Sequence, residues 1–387
     1  MNIALPDINR MQILPDSATW EGINALIDDY VKMAVDDEVV IAYTPDSREP
    51  AAWVALALKE REIYPRLVGM SPLYDAGFRD RFRSALPMPD QVAGRLIILT
   101  FERDTMSHNE DIKSVLSDYD PKRYQVVRAI NSGTDLFSVA LKSSPSDLSA
   151  RNTAILERCI SADRLFVETR SGTQLNIGLD NERYRWISNR GVGRPEKFLV
   201  IPAGEVATYP ASISGILVAD FAVNVNTLMD IDARLSNFPV TAEIEQGRLV
   251  DFKCENEQMT QFLSQCFSRE NARMVGELGF GTNAAVVSAV RENSHINERR
   301  PGVHIGFGQH NQTNELTGYF CDIHVDLISQ GGLIWVDDDP MAIDLEQLVP
   351  SSNPHPLHYE EEDVFAPNDF GDDCCGVLAS GARLCEK

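Results

Sequence analysis

Between Pro301 and Ala382 the chain has no lysine and no arginine, while 15 aspartates and glutamates fall in the same 82 residues. Basic residues are scarce throughout, 35 against 58 acids over 387 residues, for a formal net charge of −23. Nucleic acids and anionic membranes are approached through concentrated positive charge, so neither is an expected partner. No run reaches the ~18–20 uninterrupted apolar residues of a membrane span. The start, MNIALPDINRMQ, lacks the basic region, apolar run and cleavage site of a secretory signal, and a cytoplasmic location is expected. Also missing is a phosphate-cradling glycine loop: the turn after the first buried run, EVVIAY, reads TPDSREP, which argues against a dinucleotide-binding domain. Of seven cysteines, Cys159, Cys254, Cys266 and Cys321 are scattered like reduced thiols, and Cys374, Cys375 and Cys385 match no zinc spacing.

What is present is an ordinary globular composition, 43% apolar with a mean hydropathy of −0.20, at a two-domain length. Residues 1–160 alternate short apolar runs with helical patterns, which predicts a layered α/β domain on a mostly parallel sheet. Residues 161–336 are expected to form an α+β, largely antiparallel β domain. Its strands include Phe198 to Ile201 and Tyr319 to Ile328, with a hairpin turn at Glu245-Gln246-Gly247. Helices are expected over Glu257 to Phe267 and Ala272 to Leu278. Residues 337–387, rich in Pro, Asn and Asp, read as an acidic, partly disordered tail.

Four of the seven histidines, His295, His304, His310 and His324, lie within thirty residues. In Cys321-Asp322-Ile323-His324-Val325-Asp326-Leu327-Ile328, a strand would project His324 and Asp326 from one face and pack Ile323, Val325 and Leu327 on the other. An imidazole beside a carboxylate suits a divalent metal, and equally a hydrogen-bonded pair at a strand edge. In Val303-His304-Ile305-Gly306-Phe307-Gly308, His304 shares its face with two glycines, which weaken a strand unless something must come close. Glu205, after Pro202-Ala203-Gly204, and Glu277, in the apolar, glycine-rich Val275 to Asn283, are carboxylates in settings where a charge is costly unless paired or coordinated.

Taken in order, GTQLNIGL, VIPAGEV, GELGFGTN, VHIGFG and DIHVDLI resemble the metallo-aminopeptidase family of the aminopeptidase T and aminopeptidase S (leucyl aminopeptidase-like) type, with its relative 2,5-dihydroxypyridine dioxygenase. The likeness covers about Val167 to Ile328. It implies an α/β domain followed by a β-rich catalytic domain, a homodimer, and a dinuclear site of two zinc, manganese or cobalt ions. The ligand positions fall on Glu205, Glu277, His304, His324 and Asp326, with Glu205, His304 and Asp326 sharing one metal, Glu277 and His324 completing the other, and Asp326 as bridge. The peptidases have a tyrosine seven residues after the first ligand histidine; here that position is Asn311, preceded by His310, and either could donate a hydrogen bond instead.

The leading expectation is a hydrolase of an amide or peptide bond in a small-molecule or short-peptide substrate, with Glu277 as proton acceptor and His310 and Asn311 as donors. The alternative is a non-haem Fe(II) dioxygenase holding one iron through His304, His324 and Asp326. A third reading is a homologue that binds without turnover.

Overall fold

The computed structural model describes residues 15–193 and 198–357. Cys374, Cys375 and Cys385 lie outside the described residues, as does most of the expected acidic tail.

Four strands of the first half, β1 (Glu38–Tyr43), β2 (Arg66–Gly69), β3 (Leu96–Phe101) and β4 (Tyr124–Ala129), run parallel. β3 reads LIILTF and is buried at every position, as a strand covered by helices on both faces must be. The helices are α1 (Ser17–Ala25), α2 (Arg48–Glu60), α3 (Phe78–Ala85), α4 (Asn109–Leu116), α5 (Thr134–Ser138) and α6 (Pro145–Cys159). Asp16 caps α1 through the Thr19 amide, and Ser144 caps α6 through that of Asp147. Ile23, Leu26, Val54 and Leu58 pack on one face of the sheet, and Phe78, Phe82, Ile112 and Val115 on the other.

The second half begins with β5 (Arg164–Glu168), β6 (Gln174–Gly178) and β7 (Ile187–Asn189). β8 (Phe198–Ile201) leaves that half and joins the parallel sheet beside β4, giving the order β2-β1-β3-β4-β8. FLVI is a continuous apolar run rather than an alternating one, the pattern of a strand buried on both faces.

The chain continues through β9 (Glu205–Thr208), β10 (Ser212–Ala219), β11 (Ala222–Val225), β12 (Val240–Glu245), β13 (Arg248–Lys253) and α7 (Glu257–Cys266). Gln246 and Gly247 both take positive φ, as expected of a two-residue hairpin turn between β12 and β13. β14 (Val275–Gly281), β15 (Gly302–Gly308), α8 (Asn314–Thr317), β16 (His324–Ile328), β17 (Leu333–Val336) and β18 (Ile343–Asp344) follow. The expected helix over Ala272 to Leu278 gives way to β14: glycines at 276, 279 and 281 remove helix propensity, and Leu278 and Phe280 alternate with them.

These strands form two antiparallel sheets, a seven-stranded one in the order β13-β12-β10-β6-β5-β17-β18 and a six-stranded one in the order β11-β16-β15-β14-β9-β7. Leu165, Val167, Leu175, Ile213 and Leu217 of the first share one core with Leu278, Phe280, Ile305, Phe307, Val325 and Leu327 of the second. Residues 337–357 belong to this body: Ile343, Leu345 and Leu348 are buried in the same core, and Asp337 accepts hydrogen bonds from the amides of Asp163 and Arg164 at 3.1 and 2.8 Å.

One buried ion pair organises the end of the parallel sheet. Arg128 donates to Glu102 at 2.6 Å, to Thr100 Oγ1 at 2.7 Å and to the Ser107 carbonyl at 2.8 Å, while Glu102 accepts from the Ser107 amide. Arg128→Met leaves Glu102 buried and unpaired, and should cost about 3–5 kcal/mol in urea unfolding. Replacing both residues by apolar ones should recover most of that loss.

Candidate metal centre

All five carboxylates and imidazoles singled out by their settings lie on one face of the six-stranded sheet. Register places Gly279 opposite His304, Gly306 between Glu277 and Asp326, Gly308 opposite His324 and Gly281 opposite Glu205. Alternation sends Leu278, Phe280, Ile305, Phe307, Val325 and Leu327 to the other face. A register shift between Val275 and Glu277 lets Val275 reach the same core while Glu277 faces the site.

The glycines are what allow five polar side chains to crowd together. A Cβ on Gly279 would lie 2.0 Å from His304 Nε2. One on Gly306 would lie 2.6 Å from His324 Cε1 and 2.9 Å from both Asp326 Oδ1 and the Glu277 Cβ. Gly306 thus serves the close approach that its pattern suggested, whereas a Cβ on Gly308 would meet the Ile323 carbonyl and not a candidate ligand.

The five form two groups whose ligand atoms lie within 4.8 Å of one another: Glu205, Glu277 and His304, and Glu277, His324 and Asp326. Glu277 is common to both. The expected sharing therefore changes, since Asp326 sits at one end and Glu277, on the central β14, lies between.

All five are buried. The Nε2 atom of His304 is 2.9 Å from Glu205 Oε1 and 3.5 Å from Glu277 Oε1, yet neither ring nitrogen completes a hydrogen bond. His324 Nδ1 lies 2.8 Å from the Gln309 carbonyl, which can only accept, so Nδ1 carries the proton and Nε2 is left for Asp326 Oδ1 at 2.9 Å. Two acceptors at that distance need a proton or a cation between them. Without a cation, protons fill the role: burial, working against the pull of His324, raises Asp326 to about 7. Burial opposes charge on His304, but Glu205 and Glu277 outweigh it and raise the imidazole to about 10. Clustered carboxylates, an imidazole without hydrogen bonds and a second imidazole oriented through its far nitrogen fit a divalent cation.

Arg299, Glu298 and Asn224, beside the ligands, were not singled out by sequence. Arg299 is buried, pairs with Glu205 through Nη1 and Oε2, and donates from Nε to the Pro202 carbonyl at 3.1 Å. Glu298 lies 3.5 Å from Arg299 and 3.0 Å from His295 Nδ1, and accepts from Asn224, the residue opposite Asp326 on β11. Burial opposes ionisation of Glu205 and Glu298; Arg299 and His304 lower Glu205, and His295 and Arg299 hold Glu298 well below the usual range. The stretch Ser294 to Arg300 has the composition of a solvated loop; its one signal was its place directly before a buried strand.

His310 belongs to neither group. Its Nδ1 lies 2.9 Å from the Gln312 carbonyl, and Nε2 is 2.7 Å from Thr317 Oγ1 and 2.9 Å from the Tyr319 carbonyl. Asn311 accepts from Gln312 at 2.9 Å, while its Nδ2 is buried with no acceptor.

With this geometry in view, the chain shows likenesses to known proteins. A family model described as crocagin biosynthetic protein CgnE/B matches residues 213–329, a span that holds Glu277, His304, His324 and Asp326 but not Glu205. No curated protein sequence matches. The structure of 2,5-dihydroxypyridine dioxygenase from Pseudomonas putida KT2440 superposes with a TM-score of 0.58 at 14% identity, over 84% of this chain and 94% of that one. AmpT from Thermus thermophilus gives 0.51 at 15%, over 82% and 94%. At such identities the likeness is one of fold, and it agrees with a parallel α/β sheet joined to antiparallel sheets. No helix among the described residues is long and apolar enough to cross a membrane.

Gly306→Ala should lower divalent-metal affinity about 10–100-fold in a chelator-competition titration, by displacing three ligand side chains at once. Gly69→Ala, whose added Cβ would meet nothing within 4 Å, should leave affinity unchanged. Unaltered affinity in Gly306→Ala would remove these side chains as ligands.

Proposed function

We propose that the chain is a metal-dependent hydrolase of aminopeptidase-like type, acting on an amide or peptide bond of a small molecule or short peptide. The observation that carries this reading is the pair of ligand groups sharing Glu277, a donor set for two neighbouring divalent cations. Such cations, when bound, would polarise a carbonyl and bring the pKa of a water toward neutrality. Glu205, Glu277, His304, His324 and Asp326 are the proposed ligands, and Gln309 fixes the His324 tautomer. Glu277 is the proposed proton acceptor. Asn311, two residues beyond that Gln309 carbonyl, offers a buried donor for a developing oxyanion in place of the peptidases' tyrosine. His310, with both nitrogens turned to its own loop, is proposed to hold Asn311 in place.

The ring-cleaving Fe(II) dioxygenase is the second reading, and the likeness to such an enzyme is one of fold alone. His304 falls in a different group from His324 and Asp326, so the geometry favours it less. A homologue that binds without turnover is the third reading. We further propose a cytoplasmic homodimer with no nucleic-acid or membrane partner, divided into an α/β half at 1–160 and a catalytic half from 161, with the acidic tail, expected from 337, beginning only after the buried Leu348.

Aminoacyl anilides and dipeptides should be hydrolysed after loading with zinc, manganese or cobalt. Glu277→Gln should lower kcat about 10²–10⁴-fold, and Asn311→Ala about 10²–10³-fold. Inactivity with every metal would remove the hydrolase, and Fe(II)-dependent oxygen uptake with an aromatic diol would install the dioxygenase.

A further inference from the structure

The two ligand groups differ in one respect that the donor atoms alone do not reveal. Beside Glu205, and not beside Asp326, stands the buried guanidinium of Arg299. A guanidinium is charged at every pH a protein tolerates, so it cannot yield to a metal by losing a proton. It engages Glu205 Oε2, leaving Oε1 as the oxygen that faces His304. It is anchored from behind by the Pro202 carbonyl, and Glu298 at 3.5 Å offsets only part of its charge, because Glu298 is held more closely by His295 and Asn224.

We infer that Arg299 is a resident cation at one end of the centre, so that the two positions load unequally. The Glu277, His324 and Asp326 position takes its divalent ion first and tightly; the Glu205, Glu277 and His304 position takes a second ion weakly. This rests on the metal-centre reading above and adds a rule of occupancy to it. Two mechanisms act together. A fixed positive charge a few ångströms from the second ion repels it in a poorly screened interior. The bond to Arg299 also restricts Glu205 to one oxygen. Arg299 is thus a positioning residue, acting through Glu205 and not on substrate.

The test is calorimetric titration of the full chain with Zn²⁺ and, separately, Mn²⁺. The native chain should bind one equivalent tightly and a second at least ~100-fold more weakly, the scale expected of a nearby unit charge in a low dielectric. Arg299→Met should bring the two affinities to within ~10-fold, and Arg299→Lys, which keeps the charge, should leave them apart. Thermal unfolding offers a second readout: metal-free Arg299→Met should melt lower and recover on adding a second equivalent. Two equally tight ions in the native chain would overturn the inference and leave the metal centre standing. No bound metal at all would overturn both. Should Arg299→Met not fold, the native titration and Arg299→Lys still decide.

Discussion

The pairing of each ligand with a glycine on the neighbouring strand is the constraint from which the site follows. Residues directly opposite on an antiparallel pair stand about 4.5–5.5 Å apart, and at Gly279 and Gly306 the neighbouring side chains lean over the glycine into the space a second side chain would take. His304 over Gly279, and Glu277 and Asp326 on either side of Gly306, occupy space that a Cβ would fill. Each glycine weakens its strand by roughly 0.5–1 kcal/mol. The opposite face supplies the compensation, since fully burying each of Leu278, Phe280, Ile305, Phe307 and Leu327 contributes about 1.5–3 kcal/mol. One set of strands is therefore apolar enough to fold and, on its other side, open enough to gather charge.

Gathering charge in a buried place requires that the site be rigid, and asparagines supply much of the bracing. From α6, Asn152 donates to Ser188 Oγ and to the Glu205 carbonyl, and accepts from Thr282. Asn283 donates to the carbonyls of Ala140 and Ala203 and accepts from Ser143. Asn131, just past β4, accepts from the His295 amide. The segments bearing Glu205, β14 and His295 are thus tied to the first half of the chain, and Ala222 and Ile328 at the end of the ligand-bearing sheet pack into its core. The parallel sheet works as a buttress for the ligand-bearing one.

How far this could be read in advance depends on whether the physics was local. His324 and Asp326 were legible because strand alternation is a two-residue rule, and Glu205 and Glu277 because a carboxylate amid apolar and glycine residues conflicts with its surroundings. β14 was misread because VGELGFG is too short for periodicity to separate helix from strand, although its glycines argued against a helix. Phe198 to Ile201 could not be assigned to the parallel sheet, since pairing across some seventy residues leaves no local trace. The carboxylate common to both groups depended on strand order, which placed Glu277 centrally. Ile343, Leu345 and Leu348 were hidden by the acids around them. Arg299 was missed because loop composition reads as solvated, and only the fold reveals that this loop turns inward.

The charge pattern takes on a more specific meaning in this setting. The stretch without lysine or arginine opens at Pro301, immediately after Arg299 and Arg300, so its boundary falls inside the centre itself. Upstream of that boundary Arg299 answers Glu205; downstream, Asp326 stands beside His324 in a stretch of 82 residues that holds no lysine or arginine. Buried carboxylates are stable only when paired, protonated or coordinated. Pairing serves the Glu205 end, while the Asp326 end is left with a proton or a metal. The asymmetry in fixed charge along one sheet face thus distinguishes the end answered by an arginine from the end where a proton or a divalent cation would answer the charge.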